Sequence, residues 1–415
     1  TIGPDNRPDQ GTPGVSAING FCYDRPVSVR ESGGNPGLTR NGEGKIPSPN
    51  AGWDERPGRA QRPLTESHLM FRTARFRSRV GVGLRLVVLA LALLLTPALT
   101  VVIGAAAVPL DEVIGVLASH IPGLDVQITW DRSIDAIVWD TRLPRIIAGV
   151  AVAVILGVSG VVLQAVVRNA LAEPYVLGVS AGASSGAAFA IIIVGTSVAT
   201  VVGGMAFAGA LLATLLVLAI AGRTQSPLQL ILGGLGVGFG FQALTNLIIF
   251  SSDSPETARS VMFWTLGSLA RAGWDSVPVI TIAALLLTVL MVLCGPILDA
   301  LASGDRTAQA VGVEPARARI LLLIPVSAAI ALAVATAGGI GFVGLVVPHL
   351  VRSFIGPAHR FLVLGSALAA GLFLVWADAF ARLAFAPAEV PIGVVTGLVG
   401  APWLVLLVRR QGHSL

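Results

Sequence analysis

Long apolar runs, each closed by a short polar corner, make up most of the chain after about residue 84. One run, from Ile146 to Val167, contains no charged residue, and a polar corner from Arg168 to Pro174 separates it from the next run. An α-helix rises about 1.5 Å per residue, so roughly 20 apolar residues cross the hydrocarbon core of a bilayer. Because lipid offers no partners to backbone N–H and C=O groups, each run is predicted to be a membrane-spanning helix.

Ten apolar segments of this kind follow one another. They lie near residues 84–107, 142–167, 174–195, 198–221, 228–250, 276–297, 316–336, 339–356, 361–385 and 391–410. An even number of spans places both termini on the same side. Arginine is enriched in the loops on the side of the termini, and the opposite loops carry most of the acids, so the positive-inside rule predicts cytoplasmic termini. The predicted fold is an all-α integral membrane protein with about ten transmembrane helices, N-in and C-in.

Two polar stretches interrupt this series. The segment 108–141 is too polar to span, and Val113 to Leu117 is predicted to form a short interfacial helix. The segment 251–275 is similar, and its Trp264 and Trp274 favour the headgroup level of a membrane.

The N-terminal stretch differs from the rest of the chain. Residues 1–69 are rich in Pro, Gly, Asn and charge and show no apolar period, so they are predicted to be disordered. A basic cluster from Arg72 to Arg79 follows. The predicted organisation is an extension at 1–80, a membrane domain at 81–410 and a short cytoplasmic tail at 411–415.

Composition supports a membrane protein and excludes other classes. Charged residues make up 12% of the chain, about half the usual share of roughly 25% in soluble domains. The net charge of +5 does not indicate nucleic-acid binding, because the arginines lie at the ends of apolar runs. The two cysteines, Cys22 and Cys294, are far apart in the sequence and form no disulfide framework or metal motif.

Two further segments bear on function. The glycine run from Gly233 to Gly240 lies inside an apolar span, where small residues allow close helix packing. The sequence contains no Walker A motif, so this chain does not itself hydrolyse ATP. The loop from Leu298 to Gly312 is predicted to form two short helices, with a hinge at Gly304 and a helix start at Asp305.

Several motifs together resemble the FecCD/vitamin B12-type permeases. They are R-L-P-R from Arg142 to Arg145, R-N-x-L-A-x-P-x-x-L-G-V-S-x-G-A from Arg168 to Ala183, L-x-x-G-D-x-x-A-x-x-x-G from Leu301 to Gly312, G-x-I-G-F-V-G-L-x-x-P-H from Gly338 to His349, and A-D-x-x-A-R from Ala377 to Arg382. The resemblance covers roughly residues 84–410. It leaves the N-terminal extension unexplained.

The resemblance implies the membrane subunit of a type II ABC importer for iron-siderophores, haem or cobalamin, with Fe(III)-siderophores as the commonest substrate class. The implied partners are a second permease subunit, identical or paralogous, two cytoplasmic ATPase subunits, an extracytoplasmic solute-binding protein, the metal-chelate substrate and membrane lipid. It implies no catalytic residue, cofactor, bound metal or nucleic acid.

The resemblance also assigns roles to individual residues. The docking site for the binding protein would comprise Arg142, Arg145 and Arg382. The ATPase coupling loop would use Leu301, Gly304, Asp305, Ala308 and Gly312. Helix packing or the pathway would involve Gly160, Gln164, Gly233, Gly236, Gly267, Ser268, Gly341 and Gly344. His349 is interpreted as a packing or capping residue, because a lone histidine has no ligand partners.

Two other classes of protein remain as alternatives. An ion-coupled secondary transporter should carry a buried acid near the membrane midplane, and Asp378 lies too near a helix end for that role. A polytopic membrane enzyme needs a catalytic cluster, and the sequence contains no HExxH motif, paired carboxylates or Cys/His set.

Overall fold

The computed structural model describes residues 64–104, 108–222 and 225–411, and all their regular structure is helical. The helices are α1 Leu64–Thr100, α2 Leu110–Ser119, α3 Arg132–Asp135, α4 Leu143–Val167, α5 Val179–Ala188, α6 Ala199–Ala221, α7 Pro227–Phe250, α8 Pro255–Thr265, α9 Val277–Leu293, α10 Gly295–Ala302, α11 Asp305–Ala310, α12 Pro315–Ala337, α13 Val343–Ile355, α14 His359–Leu383 and α15 Ile392–Gln411. Two π-helical turns, Ala136–Arg142 and Phe189–Ile193, and one 3₁₀ turn, Pro174–Leu177, extend or join them.

The all-helical, multi-pass architecture predicted from the sequence is confirmed. Within the described residues, six helices are long and apolar enough to cross a membrane, or seven if α9 and α10, which meet at 62°, form one bent span. The remaining three predicted segments correspond to shorter apolar helices, Val179–Ile193, Val343–Ile355 and Ile392–Leu407. The count of ten spans and the cytoplasmic placement of both termini stay predictions.

Helix α1 begins earlier than the sequence predicts. It runs without a break from Leu64, so residues 64–80, expected to belong to a disordered extension, are helical. The physical reason is local: the basic stretch contains no Pro or Gly before Gly81, and arginine is a good helix former. The rest of the predicted extension, residues 1–63, lies outside the described residues.

The polar stretches also form helices. The predicted short interfacial helix is present as α2, and residues 132–142 continue directly into α4, so the second span starts earlier than residue 142. Trp264 is buried in the bundle, and Trp274 donates its indole N–H to the carbonyl of Trp139 at 2.9 Å. Both tryptophans therefore pack against protein, which differs from the expected role as lipid anchors.

Helix α4 lies at the centre of the bundle. It packs against α9, α12, α13 and α14, and most of its side chains are buried. Its backbone comes so close to α13 that a Cβ added at Gly160 would overlap the carbonyl of Gly344. Small residues permit this approach, which contributes van der Waals packing where lipid weakens the hydrophobic drive.

Helices α12 and α13 are separated by an irregular turn, 338–342, which meets two other turns. Ser268 donates its N–H to Ala337 at 2.8 Å, and Ile392 donates to Gly267 at 3.1 Å. Gly267 has φ +78°, a left-handed conformation that glycine adopts at little cost. The end of α8, the end of α12 and the start of α15 are thus joined by backbone hydrogen bonds, and we call this meeting point the backbone junction.

Candidate functional site

Five charged side chains lie together at the N-terminal end of α4. We call Arg142, Arg145, Asp378, Arg382 and Glu389 the outer cluster, after the side predicted for it. The Arg145 guanidinium contacts Asp378 with Nε–Oδ1 and Nε–Oδ2 distances of 3.1 Å and an Nη2–Oδ1 distance of 2.8 Å. Its Nη1 also donates to both Glu389 oxygens, at 3.0 and 2.9 Å. One arginine therefore holds two carboxylates.

The other two arginines of the outer cluster bind the C-terminal end of α1. Arg382 forms an ion pair with Asp378 one turn earlier, at 3.2 Å, and donates to the carbonyls of Ile103 at 2.5 Å and Thr100 at 3.2 Å. Arg142 donates to the carbonyl of Val101 at 2.8 Å. Carbonyls at a helix C-terminus lack intrahelical partners, so the two guanidiniums satisfy groups that would otherwise be unpaired. Asp378 and Arg382 stand four residues apart on α14, so they share one helix face and can pair.

The burial of these arginines is at odds with their expected role as a docking surface. Arg142, Arg145 and Arg382 are only 6, 5 and 4% exposed, and each makes internal contacts. The two acids that pair with Arg145 lie more than 200 residues away from it in the sequence. The spacing of residues along the chain therefore could not reveal that Arg145 is buried. Glu389 is the open edge of the outer cluster, with a half-exposed side chain.

At the opposite end of α4, the predicted coupling loop is present as two short helices, α10 and α11. Gly304 separates them with φ +106°, and Gly312 follows α11 with φ +83°. Both are left-handed conformations in which a side chain would be strained. The hinge at Gly304 and the helix start at Asp305 are as predicted.

The orientation of these two helices was not foreseen. Leu301 and Ala308, both assigned to the coupling loop by the resemblance, are fully buried against the bundle, so their side chains are not accessible to a partner in this arrangement. The exposed face of α11 and the turn after it consists of other residues: Arg306, Thr307, Gln309, Ala310 and Val311.

Acidic side chains attach both short helices to the bundle. Asp305 does not cap α11 but accepts from the Arg319 guanidinium of α12 at 2.5 Å, and Arg168 lies 4.0 Å away. Asp299 of α10 accepts from the backbone N–H of His359 at 3.0 Å and lies 2.6 Å from its Nδ1. We call these five residues the inner cluster. The sequence prediction missed Arg319; the signal for it is the helical spacing that places Arg319 on the same face as the buried Leu322, Leu323 and Val326.

Six of the eight residues assigned to packing or the pathway fall into two groups. Gly160, Gln164, Gly341 and Gly344 lie where α4, the 3₁₀ turn and α13 meet, and Gln164 Nε2 donates to the Leu345 carbonyl at 3.3 Å. Gly267 and Ser268 belong to the backbone junction, and Gly233 packs against Ile220.

Gly236 faces open space, as does much of α7. The exposed apolar side chains of α7 are Leu228, Leu232, Leu235, Phe239, Leu244, Leu247 and Phe250. A cavity of about 410 Å³ lies beside the start of α6 and is lined by Trp264, Arg271 and Asp275 among others. Arg271 also lines a smaller cavity of about 200 Å³ with Ser268 and Glu389. Burial lowers the pKa of the Arg271 guanidinium.

With this geometry in place, the chain can be compared with known proteins. A model described as the FecCD transport family matches residues 89–410, well over half of the sequence. The chain belongs to the FecCD transport family.

Individual relatives agree with this membership. The FecCD chain is 38% identical over 283 residues to the cobalamin import system permease protein BtuC of Halobacterium salinarum, covering 66% of this chain and 74% of that protein. It is 37% identical over 276 residues to the Fe(3+) dicitrate transport system permease protein FecD of Escherichia coli, covering 66% and 86%.

A solved structure shows the same fold. It is an inward-facing conformation of a metal-chelate type ABC transporter, with a TM-score of 0.68 and 31% sequence identity, covering 78% of this chain and 98% of that one. The FecCD chain is thus a multi-pass inner-membrane permease subunit of an ABC importer for iron-chelate or vitamin B12 type substrates, and its ATPase is on separate chains.

Proposed function

We propose that this permease carries an Fe(III)-siderophore or related metal chelate, received from a solute-binding protein on the outer side and driven by two ATPase subunits bound at α10 and α11. The observation that carries the proposal is the pair of short helices at the inner end, which expose one face and are attached to the bundle by the other. A surface built this way suits a partner that transmits force, because a displacement of α11 must also displace the helices to which it is bonded.

The ATPase would contact the exposed side of α11. Its charged and polar residues Arg306, Thr307 and Gln309 are accessible, and Val311 is 65% exposed. Gly304 and Gly312 shape the two ends of this face. Leu301 and Ala308 support the face from below, and Asp305 fixes it to α12.

The second permease subunit would cover the apolar face of α7. Seven large apolar side chains of this helix are exposed in the single chain, and Gly236 and Gly240 leave space for a close approach. Apolar side chains on a membrane helix face either lipid or another helix, and glycines in such a helix favour close contact with another helix. The pathway would then run between two copies of α7, in a homodimer or in a pair of paralogues.

A metal chelate is the substrate class that both relatives support, since one is named for ferric dicitrate and the other for cobalamin. We favour a ferric siderophore over cobalamin because Arg271 lines both cavities at the outer end. Its planar fork suits the oxygen ligands and negative charge of ferric chelates.

The binding protein would reach the outer cluster through Glu389. Arg142, Arg145 and Arg382 are buried, so docking requires an acid of the partner to replace or join Glu389 on the Nη1 edge of Arg145. Charge contacts of this kind guide encounter and fix orientation more than they add affinity.

One experiment tests the whole assignment. The chain is expressed with its partner subunits, purified in detergent, and analysed by mass spectrometry for bound proteins and bound chelate. Proteoliposomes are then assayed for ATP-dependent uptake of a ferric hydroxamate siderophore, ferric dicitrate, haem and cyanocobalamin. We expect an ATPase and a second permease subunit to co-purify, and ferric siderophore uptake to exceed the others. Cobalamin as the preferred cargo would contradict the substrate proposal, and ATP-independent uptake driven by an ion gradient would contradict the importer.

A further inference from the structure

The turn between α6 and α7 has an unusual residue at its centre. Gln225 is 2% exposed and has φ +47°, a left-handed conformation that costs a non-glycine residue free energy. Its side-chain amide donates to the carbonyls of Leu218 at 3.1 Å and Gly222 at 2.5 Å, at the end of α6. Ser226, the next residue, caps the start of α7 by accepting from the N–H of Gln229 at 3.2 Å. Gln225 therefore fixes the angle at which α7 leaves α6.

A single buried side chain joins this turn to the coupling helix. Arg319 is 1% exposed, and its Nη2 donates to Asp305 of α11 at 2.5 Å while its Nη1 donates to the Gln225 carbonyl at 3.2 Å. The guanidinium is planar and rigid, so its two nitrogens move together. A shift of Asp305 must therefore be followed by the Gln225 backbone or must break one of the two hydrogen bonds of the buried Arg319 guanidinium.

We infer that Arg319 is a positioning residue that transmits movement from the ATPase-docking helix α11 to α7 through the strained turn at Gln225. The inference rests on the proposed function, because it takes α11 as the ATPase site and α7 as the pathway wall. In the resting arrangement, Arg319 and the two α6 carbonyls hold Gln225 in its left-handed state. When the ATPase draws α11 away, the Gln225 backbone is released and the capped N-terminus of α7 tilts.

Packing alone does not require an arginine at position 319. A buried arginine is costly unless paired, and a leucine or methionine would fill the same space without that cost. Arg317, two residues earlier on α12, shows the ordinary alternative: it is exposed and pairs with Glu314 across one turn at 3.0 Å. Arg319 of α12 instead binds two other segments at once, Asp305 of α11 and the Gln225 carbonyl, so a movement of one segment can be passed to the other.

The test compares Arg319→Met and Arg319→Lys with the control Arg317→Met in the complete complex with ATPase and binding protein. Three quantities are measured in proteoliposomes: ATPase retained per permease, ATP hydrolysed, and substrate taken up per ATP, with ferric hydroxamate or cyanocobalamin, whichever the wild-type complex takes up. We expect Arg319→Met to retain and run the ATPase but to lose uptake per ATP by about tenfold, within the usual range of coupling between sites. Arg319→Lys keeps the charge but not the fork, and its loss should be intermediate. Arg317→Met should match the wild type.

A second variant guards against a folding defect in Arg319→Met. Gln225→Gly leaves Arg319 and its ion pair with Asp305 intact. It relieves the strain of the left-handed turn and removes the side-chain amide that donates to the carbonyls of Leu218 and Gly222. Uptake per ATP should fall in this variant too. Uptake per ATP equal to that of Arg317→Met in both Arg319→Lys and Gln225→Gly would overturn the inference. If the wild-type complex transports substrate and both variants match Arg317→Met, only the proposed role of Arg319 is refuted, and the proposed function stands. If the wild-type chain retains no ATPase, the proposed function is refuted, and the proposed role of Arg319 falls with it.

Discussion

At the N-terminal end of α4, the buried Asp378 lies between Arg145 and Arg382, whereas at the C-terminal end both acids, Asp305 and Asp299, are partly exposed. The Asp378 side chain is 2% exposed, and the side chains of Asp305 and Asp299 are 39% and 47% exposed. The outer cluster joins α1, α4, α14 and the turn before α15 into one unit. The inner cluster joins two short helices to separate segments of the bundle, each through one acid.

A buried ion pair is difficult to break, whereas a partly exposed ion pair can exchange its partner for water or for another protein. Removing one partner of a buried ion pair costs about 3–5 kcal/mol, because it leaves an uncompensated charge away from water. An acid that is partly exposed loses less, because water can replace its partner. We therefore expect substitution of Asp378, the buried acid of the outer cluster, to act mainly on stability, and substitution of the partly exposed acids of the inner cluster to act mainly on transport. The following substitutions test that division.

The largest effect is expected for Asp378→Asn. The carboxylate receives three contacts from Arg145 and pairs with Arg382, so its neutralisation leaves two buried guanidiniums undercompensated. The free energy of unfolding should fall by about 3–5 kcal/mol. Thermal unfolding of the purified chain, followed by tryptophan fluorescence, measures this. The exposed Asp253→Asn is the matched control, and an equal midpoint for both variants would contradict a closed outer cluster.

An intermediate effect is expected for Asp305→Asn. The hydrogen bond with Arg319 is charge-assisted, and its weakening should lower stability by about 1.5–3 kcal/mol, less than for Asp378→Asn. Uptake of substrate per ATP should fall further than the loss of folded protein alone would explain. The same fluorescence assay and the proteoliposome assay give the two numbers. A stability loss larger than that of Asp378→Asn would show that the inner cluster is the more rigid one.

The smallest effect on stability is expected for Glu389→Gln. Arg145 stays paired with Asp378, and the Glu389 side chain is 42% exposed, so loss of this ion pair should cost only about 0–1 kcal/mol. The substitution also removes the negative charge that holds the Nη1 edge of Arg145, so an acid of the binding protein could displace the amide more easily. We therefore expect the unfolding midpoint to stay nearly constant while the affinity for the binding protein, measured by biolayer interferometry, rises severalfold. Weaker binding would show that Glu389 itself, rather than Arg145, contacts the partner.

Much of the fold follows from the sequence because it depends on local patterns. Uninterrupted apolar runs give the long helices, and Gly304 followed by Asp305 gives the break between α10 and α11. Membership in the FecCD family follows from motifs such as R-L-P-R at Arg142 to Arg145.

The candidate sites were less predictable because they depend on contacts between distant segments. Arg145 looks like a flanking or docking charge from spacing alone, and only the fold brings Asp378 and Glu389 to it. Arg319 and Arg317 are of one residue type on one helix, but one is buried and the other exposed. Their separation by two residues turns them to different faces, and no local motif says which face meets α11.

The backbone junction at the outer end has a consequence for how such a transporter can diverge. Its bonds, from Ser268 to Ala337, from Ile392 to Gly267 and from Gly393 to Leu266, involve only main-chain atoms. Replacing a side chain there leaves these donors and acceptors in place wherever a small residue is not required. Side chains around the junction can therefore change in size or charge while the main-chain scaffold beneath them stays constant, so that surface chemistry and helix assembly can evolve at separate positions of the chain.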